Sequence, residues 1–330
     1  MANSALPMNL VSAESETAAV ARAQATGRIR WLVWKLAIAT LLLMAIGSAT
    51  RVMNAGLACP DWPLCYGTLF PGAQMNLQVF LEWFHRLDAA LIGFSTLALV
   101  ALSAWYRRAL PSWVPLVSLF ALGLILFQAI LGGLTVTQLL RFDIVTAHLG
   151  TALLFFTTLL IMGVALLPYQ GTGTVGKLPW VSLVATGLVY LQSLSGGLVG
   201  SRWALHQCLD GSQLCSVMNS HLLGAVPASV SVLAIAALVW RTPALHPALR
   251  RLGTMAAGFL ALQVFLGVAT FRMHLQVELL TVAHQMIGAC LLGTLVCFTT
   301  LGMRDRHSIK LATPPTGDKS SSGIMPTGLV

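Results

Sequence analysis

Four histidines are set apart by their spacing. His85 and His221 are 136 residues apart, as are His148 and His284, so each pair is separated by 63 residues. Imidazole nitrogen is a ready ligand for iron, and haem iron takes axial ligands from two opposite faces. Two histidines on non-adjacent helices of one four-helix unit can supply those faces and hold one porphyrin. A single histidine in an apolar segment can equally be a hydrogen-bonded group at a helix interface; the repetition is what favours ligation. Zinc or copper stays open, although neither pair has an evident third and fourth ligand to complete a tetrahedral shell. Glu82 and Arg86 flank His85, and Glu82 shares its helical face if the helix begins early enough. A carboxylate there could move protons or steer water. Arg86 could neutralise a propionate or hold Glu82, or the two could simply order a loop at a helix mouth. The corresponding positions beside His221 are Met218 and Leu222. The first pair is therefore the candidate reaction site and the second the candidate holder of a fixed prosthetic group. His206, His274, His246 and His307 do not follow the repeat and are not read as ligands.

Such side chains need elements to position them, and the composition defines their kind. Of 330 residues, 57% are hydrophobic and 9% charged, and mean hydropathy is +0.81, against roughly 25% charged in a soluble domain. The apolar residues fall into eight segments of about the length that crosses a bilayer, roughly 32–52, 85–106, 112–134, 144–167, 179–199, 219–240, 251–271 and 281–302. The expected fold is thus an all-α integral membrane protein of eight transmembrane helices. A polar segment, 1–31, precedes them without the pattern of a secretory signal, and a tail, 304–330, reads as flexible. The net charge of +9 does not indicate nucleic acid, because the basic residues lie in short connections, where they set orientation. Arg28, Arg30, Lys35, Arg107, Arg108, Lys177, Arg241, Arg250, Arg251, Arg304 and Arg306 fall on one side, which places both termini in the cytoplasm. Arg51, Arg86, Arg141, Arg202 and Arg272 fall on the other side, near span ends, where an arginine can snorkel or hold an anionic ligand.

The chain also contains its own second copy. The stretch at 128–150 resembles 263–288: both open Q-x-x-L-G and both end in an Ala-His pair closely preceded by threonine. An offset of four spans preserves direction, so two parallel-repeat four-helix bundles are expected, 32–167 and 168–303. In each, a longer outer loop follows the first span and carries a cysteine pair, Cys59 and Cys65 in one and Cys208 and Cys215 in the other. The face is non-cytoplasmic, where disulfides persist, and a redox-active pair is equally allowed by position. Cys290 and Cys297, seven apart on the last span, read as small packing groups.

These residues resemble the haem A synthase family over about 32–303. The most specific pieces are RVMNAGLACPDWPLCYG at 51–67 and EWFHRLDAALIG at 82–93, followed by TAHLG at 146–150, NSHLLGA at 219–225 and AHQMIGA at 283–289. The resemblance implies oxidation of the C8 methyl group of haem O to a formyl group, making haem A for cytochrome c oxidase. It implies that His221 and His284 ligate a haem b (iron protoporphyrin IX) cofactor, that His85 and His148 flank the substrate haem O, and that Glu82 is the acidic residue beside it. Cys59 with Cys65 and Cys208 with Cys215 match the family's loop cysteine pairs. The family's glycine-rich wording in the first loop departs here at Met53-Asn54-Ala55. Expected partners are membrane lipid, haem O synthase, the oxidase assembly route and an electron donor or acceptor that no motif identifies; the expected location is the bacterial plasma membrane. A bis-histidine electron-transfer cytochrome and a haem carrier are the rival readings.

Overall fold

The computed structural model describes residues 8–200 and 214–312. Among them are eight helices: α1 (Met8–Val52), α2 (Leu77–Trp105), α3 (Trp113–Thr137), α4 (Phe142–Ala165), α5 (Leu178–Val199), α6 (Leu214–Arg241), α7 (Pro247–Arg272) and α8 (Glu278–Ala312). Each contains a stretch long and apolar enough to span a membrane. In hydrocarbon every backbone N–H and C=O must be satisfied within the segment, which an α-helix achieves. Local chemistry sets the ends. Asn76 caps α2 by accepting from Val79 N at 3.0 Å. His246 Nδ1 accepts from Ala248 N at the start of α7, with Pro247 in its first turn, a position where the missing proline N–H leaves no helical bond unmade.

The helices close into two rings, α1 to α4 and α5 to α8, each with its first and last helices in contact. Between the rings α4 packs on α8, α1 on α8 and α4 on α5. Exchanging the halves turns the α1–α8 contact into α5–α4 and leaves α4–α8 unchanged, as an axis along the bundle requires. The turns repeat as well: Leu139 and Leu140 after α3, and His274 and Leu275 after α7, are consecutive residues at positive φ. Burial identifies the central pair. In α8 and α4, 56% and 44% of the spanning window is buried, against 22–33% in the other six helices. Small residues permit that approach: a Cβ on Gly293 of α8 would lie 2.9 Å from Leu160 of α4, and one on Gly197 of α5 would lie 2.9 Å from Leu149.

Two helices differ from their sequence-based limits. Helix α1 begins well before residue 32, because Ala25, Ile29, Val33 and Leu36 form one stripe at helical spacing and are all buried in the common core. Helix α8 runs past residue 303, and its Asp305, fully buried, accepts from Tyr169 Oη at 2.7 Å, Thr172 N at 2.9 Å and Gly173 N at 2.7 Å. Arg30 donates to Leu166 O at 3.2 Å. The connection between the halves is thereby held to both α1 and α8.

Candidate functional site

His85, His148, His221 and His284 all sit in the second or third turn of α2, α4, α6 and α8, and each ring faces a glycine on the preceding helix. A Cβ on Gly47, Gly132, Gly196 or Gly267 would lie 2.8, 3.4, 3.0 or 3.0 Å from Cε1 of His85, His148, His221 or His284 respectively. A larger residue at Gly47, Gly196 or Gly267 would press on the imidazole, whereas at Gly132 a Cβ would be in ordinary contact with it. His85 and His148 line one cavity, and in the second ring α6 and α8 carry His221 and His284 at the matching places. Each half thus brings together its own pair.

Glutamines accompany these glycines. Gln128, Gln192 and Gln263 each precede the facing glycine by one helical turn, while Leu43 holds that place before Gly47. Gln128 Nε2 donates to His148 O at 2.9 Å, Gln192 Nε2 donates to His221 O at 2.7 Å, and Gln263 Nε2 lies 3.3 Å from His284 Nε2. The repeat of Q-x-x-L-G pointed to two of these glutamines. The third lies outside that pattern because its segment reads Gln192-Ser193-Leu194-Ser195-Gly196, with serine where the repeat has leucine; Gln followed four residues later by Gly is the available signal.

The four imidazoles are not equivalent. Nδ1 of His85, His148 and His284 is buried without a hydrogen-bond partner, as are Oε1 of Gln128 and Gln263. Buried polar atoms left unpaired in this way call for a physical explanation, and a bound group is one that the paired imidazoles suit. His221 Nδ1, in contrast, lies 2.9 Å from Ser195 Oγ. Ser195 Oγ also lies 2.8 Å from Gln192 O. Gln192 Nε2, which donates to His221 O at 2.7 Å, lies 3.0 Å from the same Nδ1, so Ser195 and Gln192 together hold this side of the His221 ring.

The first half encloses a cavity of about 1200 Å³ lined by His85, His148, Glu82, Arg86 and Arg51. That exceeds the roughly 300–1,000 Å³ of ordinary small-molecule sites. Its roof is the first loop: Trp62, Pro63, Leu64 and Cys65 line it, and Trp62 lies against Gly133 of α3. Because α2 starts at Leu77, Glu82 and Arg86 are one turn apart and pair at 2.6 Å, and Glu82 is almost fully buried. Glu82 Oε2 also accepts from Cys59 N at 2.7 Å. Arg86 donates to Asp61 O at 2.6 Å, to Leu64 O and, at 3.5 Å, to Cys59 O. The pair therefore fastens the loop over the cavity, which agrees with the loop-ordering alternative for Arg86 and occupies its donors with protein oxygens.

Cys59 and Cys65 are bonded and buried in a small cluster with Val79. Asp61 accepts from Gly67 N at 2.8 Å and Tyr66 N at 2.6 Å. Those backbone donors, Gly67 first, hold its carboxyl below the usual range, with Arg86 adding to the effect. The contribution is complete at neutral pH and is lost only as pH falls through that lowered value. Replacing both Cys59 and Cys65 by serine is expected to destabilise the loop by about 2 kcal/mol, the chain-entropy value for so short a closure. Limited proteolysis should then cut within 59–67 faster than in the parent; an unchanged rate would show that Arg86 and Asp61 suffice. The second loop's Cys208, Arg202 and His206, and the side chain of Cys215, lie outside the described residues. Cys290 and Cys297 are free thiols, partly buried, on α8.

Among the described residues no group of three or more His, Cys, Asp or Glu side chains converges as a metal site. The donor set in each half is a pair of imidazoles with small residues opposite the rings, which suits axial ligation of a planar macrocycle from two sides. The residues fit a haem in each half.

The profile of the cytochrome oxidase assembly protein family, COX15-CtaA, matches residues 30–296. The heme A synthase of Shewanella oneidensis is 27% identical over 323 residues, covering 82% of this chain and 95% of its own length. That of Bacillus licheniformis is 25% identical over 295 residues, with 83% and 95% covered. That of Symbiobacterium thermophilum is 36% identical over 161 residues, covering 46% of this chain and 50% of its own. The family match takes in both four-helix rings, the roofed cavity and all four histidines, and on that footing the chain belongs to the cytochrome oxidase assembly protein family, COX15-CtaA.

Proposed function

We propose that this protein is a haem A synthase, a membrane oxidoreductase that converts the C8 methyl group of haem O to a formyl group for cytochrome c oxidase. The observation that carries the reading is the asymmetry of the halves. In the first half a carboxylate, Glu82, stands in the wall of the cavity lined by His85 and His148. The second has Met218 and Leu222 at the positions of Glu82 and Arg86, and its His221 is already oriented by Ser195 and Gln192.

In this reading the first half, 32–167, binds haem O between His85 and His148. The second, 168–303, holds haem b between His221 and His284. Haem b, when bound, would carry electrons one at a time to an external acceptor, the route by which the four electrons of the methyl oxidation leave. The chain itself does the rest. The loop roof and Arg86 restrict the cavity, Glu82 takes up or relays the protons released as water supplies the oxygen of the alcohol and then of the hydrated aldehyde, and the hydrated aldehyde loses water to give formyl. The basic residues at 28–35, 107–108, 177, 241–251 and 304–306 set both termini in the cytoplasm, which puts the roofed cavity near the outer face of a bacterial plasma membrane. Haem O synthase is the expected supplier of substrate and the oxidase assembly route the consumer of product.

Expression of the chain in cells supplied with haem O tests the reading directly. Extracted haems should include formyl-bearing haem A by mass and pyridine haemochrome spectrum. A haem-loaded protein that leaves haem O unchanged despite a competent electron acceptor would instead be a cytochrome or carrier. A second expectation concerns Ser195, whose action is on His221 and not on substrate. Ser195→Ala removes one of the two partners of His221 Nδ1 and should weaken haem b retention about 10- to 100-fold, the usual effect of losing a ligand's outer hydrogen bond. Transfer of haem to apomyoglobin measures it, and Ser195→Thr should restore retention. Equal transfer rates from Ser195→Ala and parent would remove Ser195 from the site.

A further inference from the structure

We infer that Arg51 is the carboxylate-binding residue of the first-half cavity and that, by holding one propionate of the macrocycle, it decides which methyl group meets Glu82. The inference rests on the haem O reading of that cavity and adds to it the in-plane orientation of the substrate.

Three arginines line the cavity: Arg51, Arg86 and Arg141. Arg86 is saturated by Glu82 and loop carbonyls. Arg141 pairs with Asp143 at 2.7 Å on the exposed rim. Arg51 is different. It lies in the last turn of α1 at the seam of the two halves, with its guanidinium so close to α5 that a Cβ on Gly200 would sit 2.7 Å from Nη1. Its hydrogen-bond partner is a neutral amide: Nη2 donates to Gln285 Oε1 at 3.3 Å. That oxygen is already shared with Ser48 Oγ at 3.0 Å. Among the described residues no carboxylate pairs with Arg51, although the guanidinium offers five donors. An uncompensated cation at such a depth is expensive and serves as a binding group by default.

The shape of the guanidinium narrows the ligand. Its planar fork matches a carboxylate or a phosphate through paired hydrogen bonds. Haem O carries two carboxylates, its propionates, and one of them shares a pyrrole ring with the C8 methyl group. Axial histidines fix the normal of a macrocycle but leave rotation about that normal free, so they cannot distinguish one ring methyl from another. An in-plane charged anchor can. The wall that carries Arg51 also adjoins the one that carries Glu82, for Thr50 Oγ1 donates to Leu81 O at 3.4 Å. Gln285, next to His284 in the chain, joins the same cluster, so the anchor is braced by the helix that bears a second-half histidine.

The test uses the purified protein with its second-half haem in place, titrated with haemin and with haemin dimethyl ester. A second binding event is read as a low-spin spectrum abolished by His85→Ala and His148→Ala. Haemin should bind about 10- to 100-fold more tightly than the ester, the range for charge-assisted hydrogen bonds. In Arg51→Gln that ratio should collapse towards one, and in Arg51→Lys it should be reduced but retained, with second-half haem content reporting that the fold survives. In turnover, Arg51→Gln should scatter oxidation over other ring methyls, seen as isomers of equal mass with different retention. Equal affinity of haemin and ester in the parent, or an undiminished ratio in Arg51→Gln, overturns the assignment while leaving the haem reading standing. Competition by phosphatidylglycerol with no preference between haemin and ester overturns it in favour of a lipid phosphate. No second binding event with either compound, in parent and histidine variants alike, removes the haem reading and the inference together.

Discussion

Glu82→Gln should abolish formyl-bearing haem and leave haem O, or its alcohol, as the accumulated species. The expected loss is about 10²-fold or more, the usual contribution of a positioned proton-transfer group. The substitution keeps the shape of the side chain and changes its chemistry. Glu82 now accepts from Cys59 N and from Arg86; a glutamine can accept from only one of them through its carbonyl and presents N–H groups to the other. Leaving Arg86 without its carboxylate should destabilise the loop region by about 3 kcal/mol, the low end for a broken buried pair, because Asp61 O and Leu64 O remain as acceptors. The two consequences separate experimentally. Extracted haems report the chemistry, while the intact Cys59–Cys65 bond and second-half haem content report the fold. Glu82→Asp sharpens the distinction, since it keeps the carboxylate and withdraws it from Cys59 N. Partial formyl production there, beside none in Glu82→Gln, assigns the role to proton transfer. Normal haem A production by a folded Glu82→Gln protein would reduce Glu82 to a fastener of the loop.

His284→Ala is expected to remove the second-half haem altogether and with it all methyl oxidation, whereas His85→Ala should remove oxidation and leave that haem in place. A bis-imidazole site stripped of one ligand loses a metal bond and creates space beside Gly267, where a Cβ would lie 3.0 Å from the His284 ring. Haem per chain, from absorbance against protein mass, should fall to near zero in His284→Ala and stay at the parental second-half value in His85→Ala. The contrast matters because the two halves share helix packing and histidine placement so closely. If His85→Ala were the variant that emptied the protein of its resident haem, the assignment of substrate and cofactor halves would have to be exchanged. Retention of haem by His284→Ala would show that a different pair of groups holds it.

How much of this was legible beforehand follows from what a linear pattern can carry. Hydropathy and length define membrane spans because the bilayer imposes both. The equal spacing of the histidine pairs revealed the repeat because each half spends similar lengths of chain on its later helices. The first helix of each half broke that register: Gly47 and Gly196 occupy matching places, yet the long first loop puts them at a different offset from the histidines. The start of α1 was also misjudged, since Ala25 and Ile29 lie in a segment whose polar residues dominate its average while its apolar stripe turns inward.

The sequence by itself determined the membrane class, the doubled four-helix design, the four histidines and the one-sided occurrence of Glu82 and Arg86. These depend on residue type and on spacing along a single helix, which fix face and depth. Only the tertiary structure decided where each polar atom is directed. It turned Arg86 towards the loop carbonyls and placed Arg51 in the cavity wall. It also gave His221 alone, among the four imidazoles, a partner at Nδ1 in Ser195, while the same atom of the other three is buried without one. Those choices arise between segments far apart in the chain, through the rotation of one helix against another and the path of a loop across both, and no spacing within one segment encodes them.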